Sequence, residues 1–148
     1  MSDALPTFTL TASVLESDID ELGHASNIAY VRWLQDVAVA HSVAVGLSFE
    51  AYARLGGVFV IRRQEVDYLR PCLRGETLEL RTRVCNVAAA KVQRETEIVR
   101  VADAVLLAKG LTTWGFVDTT QGRPTRIPDQ VRVAFGAPAR HSLRTSHT

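Results

Sequence analysis

Residues 17 to 30 read Ser17-Asp18-Ile19-Asp20-Glu21-Leu22-Gly23-His24-Ala25-Ser26-Asn27-Ile28-Ala29-Tyr30 and stand directly ahead of an apolar run. Carboxylate, imidazole and amide groups crowd into a dozen positions. The apolar run has helical spacing, so its first turn carries backbone N–H groups with no partner inside the helix. A carboxylate beside such donors suits attack on a carbonyl: the acid adds to the carbon or deprotonates water, and the N–H groups hold the developing oxyanion. Asp20 is a candidate carboxylate for this chemistry, although an aspartate so placed also serves commonly as a loop or capping residue. His24 and Asn27 are candidates to share in it, and Asp18 reads as a loop residue bonded to nearby N–H groups.

The elements that must position these groups follow from periodicity. Phe8 to Leu15 alternates apolar and polar residues as a strand does, with Phe8, Leu10, Ala12 and Val14 on one face. A helix is expected from about Asn27 to Val45, capped by Ser26 or Asn27 and stopped at Gly46. It is so apolar that burial on several sides is expected, with His41 packed within it. A short helix at 48–55 precedes four strands near 58–68, 77–87, 91–101 and 104–117, joined by tight connections. The sheet and the long helix bury each other best if the sheet curls around the helix. The expected fold is therefore α+β, a hot-dog architecture in which a curved antiparallel sheet of about five strands wraps one long central helix. Asp118 to Pro128 reads as a loop, and a short helix follows through Phe135. One domain over residues 1–136 and a flexible tail over 137–148 are expected.

Composition narrows the classes of function. The chain has 148 residues, 47% hydrophobic and 22% charged, with a net charge of +1, which argues against a dominant nucleic-acid surface. No stretch approaches the ~18 apolar residues that span a bilayer. Cys72 and Cys85 lack metal-ligand spacing and read as reduced thiols, so a cytoplasmic protein without membrane partners is expected.

The pattern Asp18-x-Asp20-x-x-Gly23-His24-x-x-Asn27-x-x-Tyr30, followed by Trp33-Leu34, resembles the hot-dog-fold acyl-CoA thioesterases, in particular the group containing 4-hydroxybenzoyl-CoA thioesterase. The element order supports the resemblance over about residues 7 to 135. It departs from the commonest form, Gly-His-x-Asn-Asn, by carrying Ser26 where the first asparagine often sits.

The resemblance implies cleavage of an acyl-CoA or acyl-carrier-protein thioester to acid and thiol. Asp20 would serve as nucleophile or general base, with His24 and Asn27 in the catalytic set and no metal or organic cofactor. Gly23, Tyr30 and Val60 are expected to position substrate, Val60 as part of an acyl-pocket wall formed by Val58 to Ile61. Arg62, Arg63, Lys91 and Arg94 are candidates for the phosphates of coenzyme A, since guanidinium and ammonium groups suit phosphate. A homodimer or homotetramer with sites at the subunit interface is implied, and the two apolar faces of strand 104–117 point the same way. The alternatives are a non-catalytic acyl- or CoA-binding module and an enoyl-thioester hydratase or dehydratase.

Overall fold

The computed structural model describes residues 5–140. Strand β1 (Phe8–Ser13) leads through a single 3-10 turn at Glu16–Asp18 and a polar loop into helix α1 (Asn27–Ala44). Helix α2 (Phe49–Leu55) follows, then strands β2 (Gly57–Tyr68), β3 (Thr77–Val87), β4 (Lys91–Arg100) and β5 (Val105–Asp118), and a short helix α3 (Asp129–Ala134). All pairings are antiparallel, and the five strands lie in the order β1-β3-β4-β5-β2. The expected hot-dog architecture is thus what the chain adopts, with β1 and β2 as the sheet edges.

Local sequence accounts for the boundaries. The Ser26 hydroxyl accepts the Ala29 N–H at 3.3 Å, so Ser26 is the cap of α1 and Asn27 its first residue. Past its end, Gly46 takes φ +90°, a conformation disfavoured for residues with a Cβ. On β3 the alternation is clean: Leu78, Leu80, Thr82 and Val84 are buried against the helix, while Glu79, Arg81 and Arg83 lie outward. Gly110 permits the close approach of sheet and helix. A Cβ there would stand 2.9 Å from Leu34 Cδ1, inside van der Waals contact.

The core has two apolar clusters. One surrounds the first half of α1 and includes Tyr30, Trp33, Leu34, Val37, Leu80, Ile98 and Leu107. The other lies beyond its second half and includes Leu47, Tyr52, Val84, Val92, Phe116 and Phe135. Buried polar residues stand at the boundary on four elements: His41 past Val37 on α1, Thr82 between Leu80 and Val84 on β3, Arg94 and Thr96 between Val92 and Ile98 on β4, and Thr112 before Phe116 on β5.

Two expectations change on inspection. Helix α1 is buried along one face only, and Ile28, Val31, Val39 and Val43 are exposed in the single chain. Residues 137–140, expected as the start of a tail, pack on α3 instead: Ala137 is buried, Arg132 Nε donates to Pro138 O at 3.1 Å and Arg140 N to Asp129 Oδ1 at 3.0 Å. The rest of the expected tail, 141–148, lies outside the described residues. Part of the two-faced apolarity of β5 is satisfied within the chain, since Val117 is buried and bridges to Pro124.

Candidate active site

The loop ahead of α1 is held by its own backbone. Asp20 N donates to His24 O at 3.0 Å and Gly23 N returns to Asp20 O at 3.1 Å, closing a turn in which Gly23 takes φ +87°. Ile19 bridges Ala25, and Ala25 N donates to Cys72 O at 2.9 Å, which ties the loop to the segment after β2. Gly23 therefore acts on the shape of the turn, and a side chain there would be strained by backbone conformation.

Beneath this loop Asp18 is the buried anchor. Its Oδ2 accepts the Leu15 N–H at 2.9 Å and its Oδ1 lies 2.8 Å from Arg32 Nη2. The latter is an ion pair by distance without the alignment of a good hydrogen bond, since Oδ1 has no such partner among the described residues. Ser26 N also donates to the Asp18 carbonyl at 2.9 Å. Asp18 thus joins the 3-10 turn, the cap and the first turn of α1, as its reading as a loop residue predicts.

Asp20, by contrast, is exposed. Its Oδ1 accepts the Leu22 N–H at 2.8 Å, which fixes the carboxylate's direction. Oδ2 has no partner among the described residues, and the same holds for the side chains of His24 and Asn27 and for the backbone N–H groups of Asn27 and Ile28. Asp20, His24, Asn27 and Tyr30 line one open depression of about 310 Å³, completed by Tyr68, Leu69, Arg70 and Pro71 from the end of β2. A carboxylate, an imidazole and an amide line it, at the point where α1 begins. Such a set can add to or activate water against a carbonyl and hold its oxygen.

Tyr30 is almost fully buried. Its hydroxyl donates to Arg70 O at 3.2 Å and accepts from Cys72 Sγ at 3.5 Å, while its ring packs edge-on against Trp33 and Tyr68. Burial, reinforced by Cys72, pushes its hydroxyl far above the ordinary tyrosine range, so it stays protonated. The geometry makes Tyr30 a floor for the depression and a fastener to the β2 end. Tyr68 and Arg70 were not anticipated as lining residues. They follow some forty positions later, and the only sequence signal was that Arg70-Pro71 ends a strand.

The remaining expected site residues do not reach this depression. Val60 pairs with Gly115 in the middle of the β2–β5 ladder and does not line it. Arg62 and Arg63 are exposed on β2 at an irregularity between Ile61 and Arg63, and Arg63 pairs with Glu65 at 3.3 Å. Lys91 is exposed at the start of β4, also opposite Gly115, and the Arg62 stem lies over that glycine. Arg62 and Lys91 therefore flank one point of the sheet. Arg94 is at odds with its expected role as a surface cation for phosphate. It is 5% exposed, on the helix-facing side of β4, because its position falls in phase with Val92, Thr96 and Ile98. Among the described residues no group of three or more His, Cys, Asp or Glu stands close enough to hold a metal ion.

The chain is 26% identical over 125 residues to the acyl-acyl carrier protein thioesterase ATL2 of Arabidopsis thaliana, covering 83% of this chain and 65% of that protein. It is 29% identical over 106 residues to Protein THEM6 of Danio rerio, covering 72% of this chain and 52% of the other. The chain thus spans between half and two thirds of the length of these relatives. Its fold superposes on Slr0204, a 1,4-dihydroxy-2-naphthoyl-CoA thioesterase from Synechocystis, with a TM-score of 0.81 at 18% identity over 88% of this chain and 96% of that one. A Staphylococcus aureus protein, SAV2348, solved in complex with CoA, gives a TM-score of 0.82 at 16% identity over 90% and 84% of the two chains. The model of the thioesterase-like superfamily matches residues 14–135, from the end of β1 through α3, and the chain belongs to that family.

Proposed function

We propose that the chain hydrolyses an acyl thioester, with Asp20 as the carboxylate that attacks the carbonyl or deprotonates water. The observation that carries this reading is the free Oδ2 of Asp20 in the same depression as Asn27 and the start of α1. In the nucleophilic form, Oδ2 adds to the carbonyl carbon, the thiolate leaves, and water cleaves the resulting anhydride. In the general-base form, Oδ2 takes a proton from water as its oxygen adds to the carbonyl carbon, and the tetrahedral intermediate then collapses with loss of the thiolate. In both, the N–H groups of Asn27 and Ile28 stabilise the oxyanion, worth roughly 3 kcal/mol for one well-placed donor. His24 orients the thioester.

The carrier is coenzyme A or an acyl carrier protein. Arg62 and Lys91, flanking Gly115 on the sheet surface, are the favoured cations for its phosphates, with Arg63 beside them. We further propose a homodimer or larger homo-oligomer. The support is the edge position of β2, the exposed Ile28 and Val31 beside Asn27, and a depression that one chain leaves open. A second copy would also give Val60 and its neighbours a route to the acyl group. The free thiols of Cys72 and Cys85 favour a reducing, cytoplasmic setting, and no helix among the described residues is long and apolar enough to cross a membrane.

The test is thiol release from a panel of aromatic, short-chain and long-chain acyl-CoA and acyl-carrier-protein thioesters, with wild-type protein and Asp20→Asn. Release that falls by more than about a hundredfold in the variant, with folding and assembly intact, supports the reading. Wild-type turnover in Asp20→Asn removes Asp20 from the mechanism. Binding without thiol release points to a non-catalytic module, and a change in enoyl absorbance without thiol release points to a hydratase.

A further inference from the structure

Arg100, at the end of β4, does not line the depression that holds Asp20, yet it is tied to the segment that does. Its Nη1 donates to the Pro71 carbonyl at 3.3 Å and to Glu76 Oε1 at 3.4 Å. Its Nε and Nη2 donate to the two carboxylate oxygens of Asp103, at 3.0 and 3.1 Å. We infer that Arg100 is a positioning residue for the hydrolysis: it sets where residues 70–72 stand against the Asp20 loop. The inference rests on the thioesterase reading of that depression and extends it to a residue outside the site.

The path of the chain after β2 is the first argument. The ladder with β5 ends at Tyr68 opposite Ala108, and Leu69 N and Arg70 N both turn to Leu107 O, at 2.8 and 3.1 Å. Pro71 has no N–H, so its carbonyl is the only backbone group by which it can be held. Three successive carbonyls fix the segment. Arg70 O accepts the Tyr30 hydroxyl at 3.2 Å and Cys72 O accepts the Ala25 N–H at 2.9 Å, both from the side of the site. Between them, Pro71 O is taken by Arg100. Arg70 and Pro71, which line the depression, are therefore strung between the start of α1 with its preceding loop and one guanidinium.

The second argument is that Arg100 is itself fixed. The fork onto Asp103 holds the guanidinium plane by two bonds. Asp103 lies in the turn between β4 and β5, where its Oδ1 also accepts Val105 N at 3.3 Å and Ala104 N donates to Arg100 O at 2.8 Å. Glu76 accepts Leu73 N at 2.8 Å, so it holds the same segment from its far side. One side chain thus joins the β4–β5 turn, the segment after β2 and the residue ahead of β3. A lysine could supply the charge, but not the fork and the bond to Pro71 O together.

The third argument weighs this arrangement against a plain surface ion pair. Arg81 on β3 is such a pair: it bonds Glu79 at 2.6 Å, approaches Glu97 at 3.8 Å and donates to no backbone carbonyl among the described residues. Pairs of that kind add little to stability. Arg100 is more enclosed, with 20% of its side chain exposed against 42% for Arg81. It also commits an N–H group to the carbonyl of a residue that lines the depression. Its contacts converge on the site from outside it.

Arg100→Gln tests this through thiol release and through hydrogen exchange of the Ala25 amide. In the variant kcat is expected to fall about tenfold with KM within about twofold of wild type, since no group that touches the thioester is removed. The Ala25 amide, whose acceptor is Cys72 O, should exchange at least about tenfold faster, while the Ile98 amide within β4 keeps its wild-type rate. Arg81→Gln, which breaks an ion pair away from the depression, should leave kcat unchanged. Arg100→Gln combined with Tyr30→Phe should lose less than the product of the two single losses, because both act through residues 70–72. If Arg100→Gln does not fold, Asp103→Asn in the exposed turn takes its place, with a several-fold loss of kcat expected. Wild-type kcat in the variant, unchanged Ala25 exchange, an equal loss in Arg81→Gln, or losses that multiply in the double variant each overturn the inference. A wild-type chain that releases no thiol from any thioester fails the thioesterase reading instead, and Ala25 exchange, which needs no turnover, still reports whether Arg100 holds the segment.

Discussion

The two ends of α1 hold their chemistry in opposite ways. At the start, Asp20 is exposed, its direction set by a backbone N–H, and the groups around it keep unused hydrogen-bonding capacity facing an open depression. Toward the far end, Arg94 is enclosed between sheet and helix, and its known partners are a histidine lone pair and a threonine hydroxyl. An exposed carboxylate contributes little to folding and can be changed with consequences for chemistry alone. A buried cation belongs to the core, and altering its surroundings changes stability. The lesson is that the group free to react is the one the fold holds through main-chain contacts.

The sharpest way to break this contrast is Asp20→Asn. Thioester hydrolysis should fall by about 10²- to 10⁴-fold while the midpoint of urea unfolding stays within about 0.5 kcal/mol of wild type. A large loss of stability instead would mean that Asp20 is structural, like Asp18.

At the other end, acid should act first on stability. Burial and, secondarily, the Arg94 charge lower the His41 pKa from 6.5 to about 4. The unfolded chain therefore binds this proton before the folded one does. Stability is intact above pH 6.5 and lost as pH falls toward 4, by an amount on the order of 3 kcal/mol. Urea melts at pH 7 and pH 4.5 measure it, and His41→Gln, which keeps an acceptor for Arg94, should flatten that slope. An unchanged slope would show that His41 is not the group responsible.

Between the two ends, Gly110 sets how near the sheet comes to the helix. Gly110→Val should cost about 1–3 kcal/mol through the clash with Leu34, read as a lower denaturation midpoint. The smallest effect belongs to Tyr30→Phe. Loss of the hydroxyl that bonds Arg70 O should cost about 1 kcal/mol and lower turnover modestly by loosening the β2 end of the depression. A collapse of activity in Tyr30→Phe with stability unchanged would instead place that hydroxyl in the chemistry.

Much of this was legible along the chain. The spans of α1 and of all five strands follow from periodicity, and Ser26 and Gly46 mark the helix ends. The pattern from Asp18 to Tyr30 pointed to one segment because its residues are local, and local hydrogen bonds shape it. Tyr68 and Arg70 were not legible as partners of Asp20, because pairing across some forty residues depends on how β2 returns to the start of α1. Arg94 misled for a related reason. In a stretch reading Lys91-Val92-Gln93-Arg94-Glu95-Thr96, charge suggested a solvated face, while strand phase assigned Arg94 to the interior.

By itself the sequence determined the secondary structure and the curled sheet around a single helix, and it singled out the polar segment from Asp18 to Tyr30 ahead of that helix. Each of these depends on residues near one another or on a repeat of two or 3.6 positions. Only the tertiary structure decided that Asp18 is buried while Asp20 is exposed, that the end of β2 lines the depression, and that a lone guanidinium lies between the two apolar clusters of the core. Those outcomes turn on burial, and burial of a charged group depends on which distant strands and helix faces meet over it.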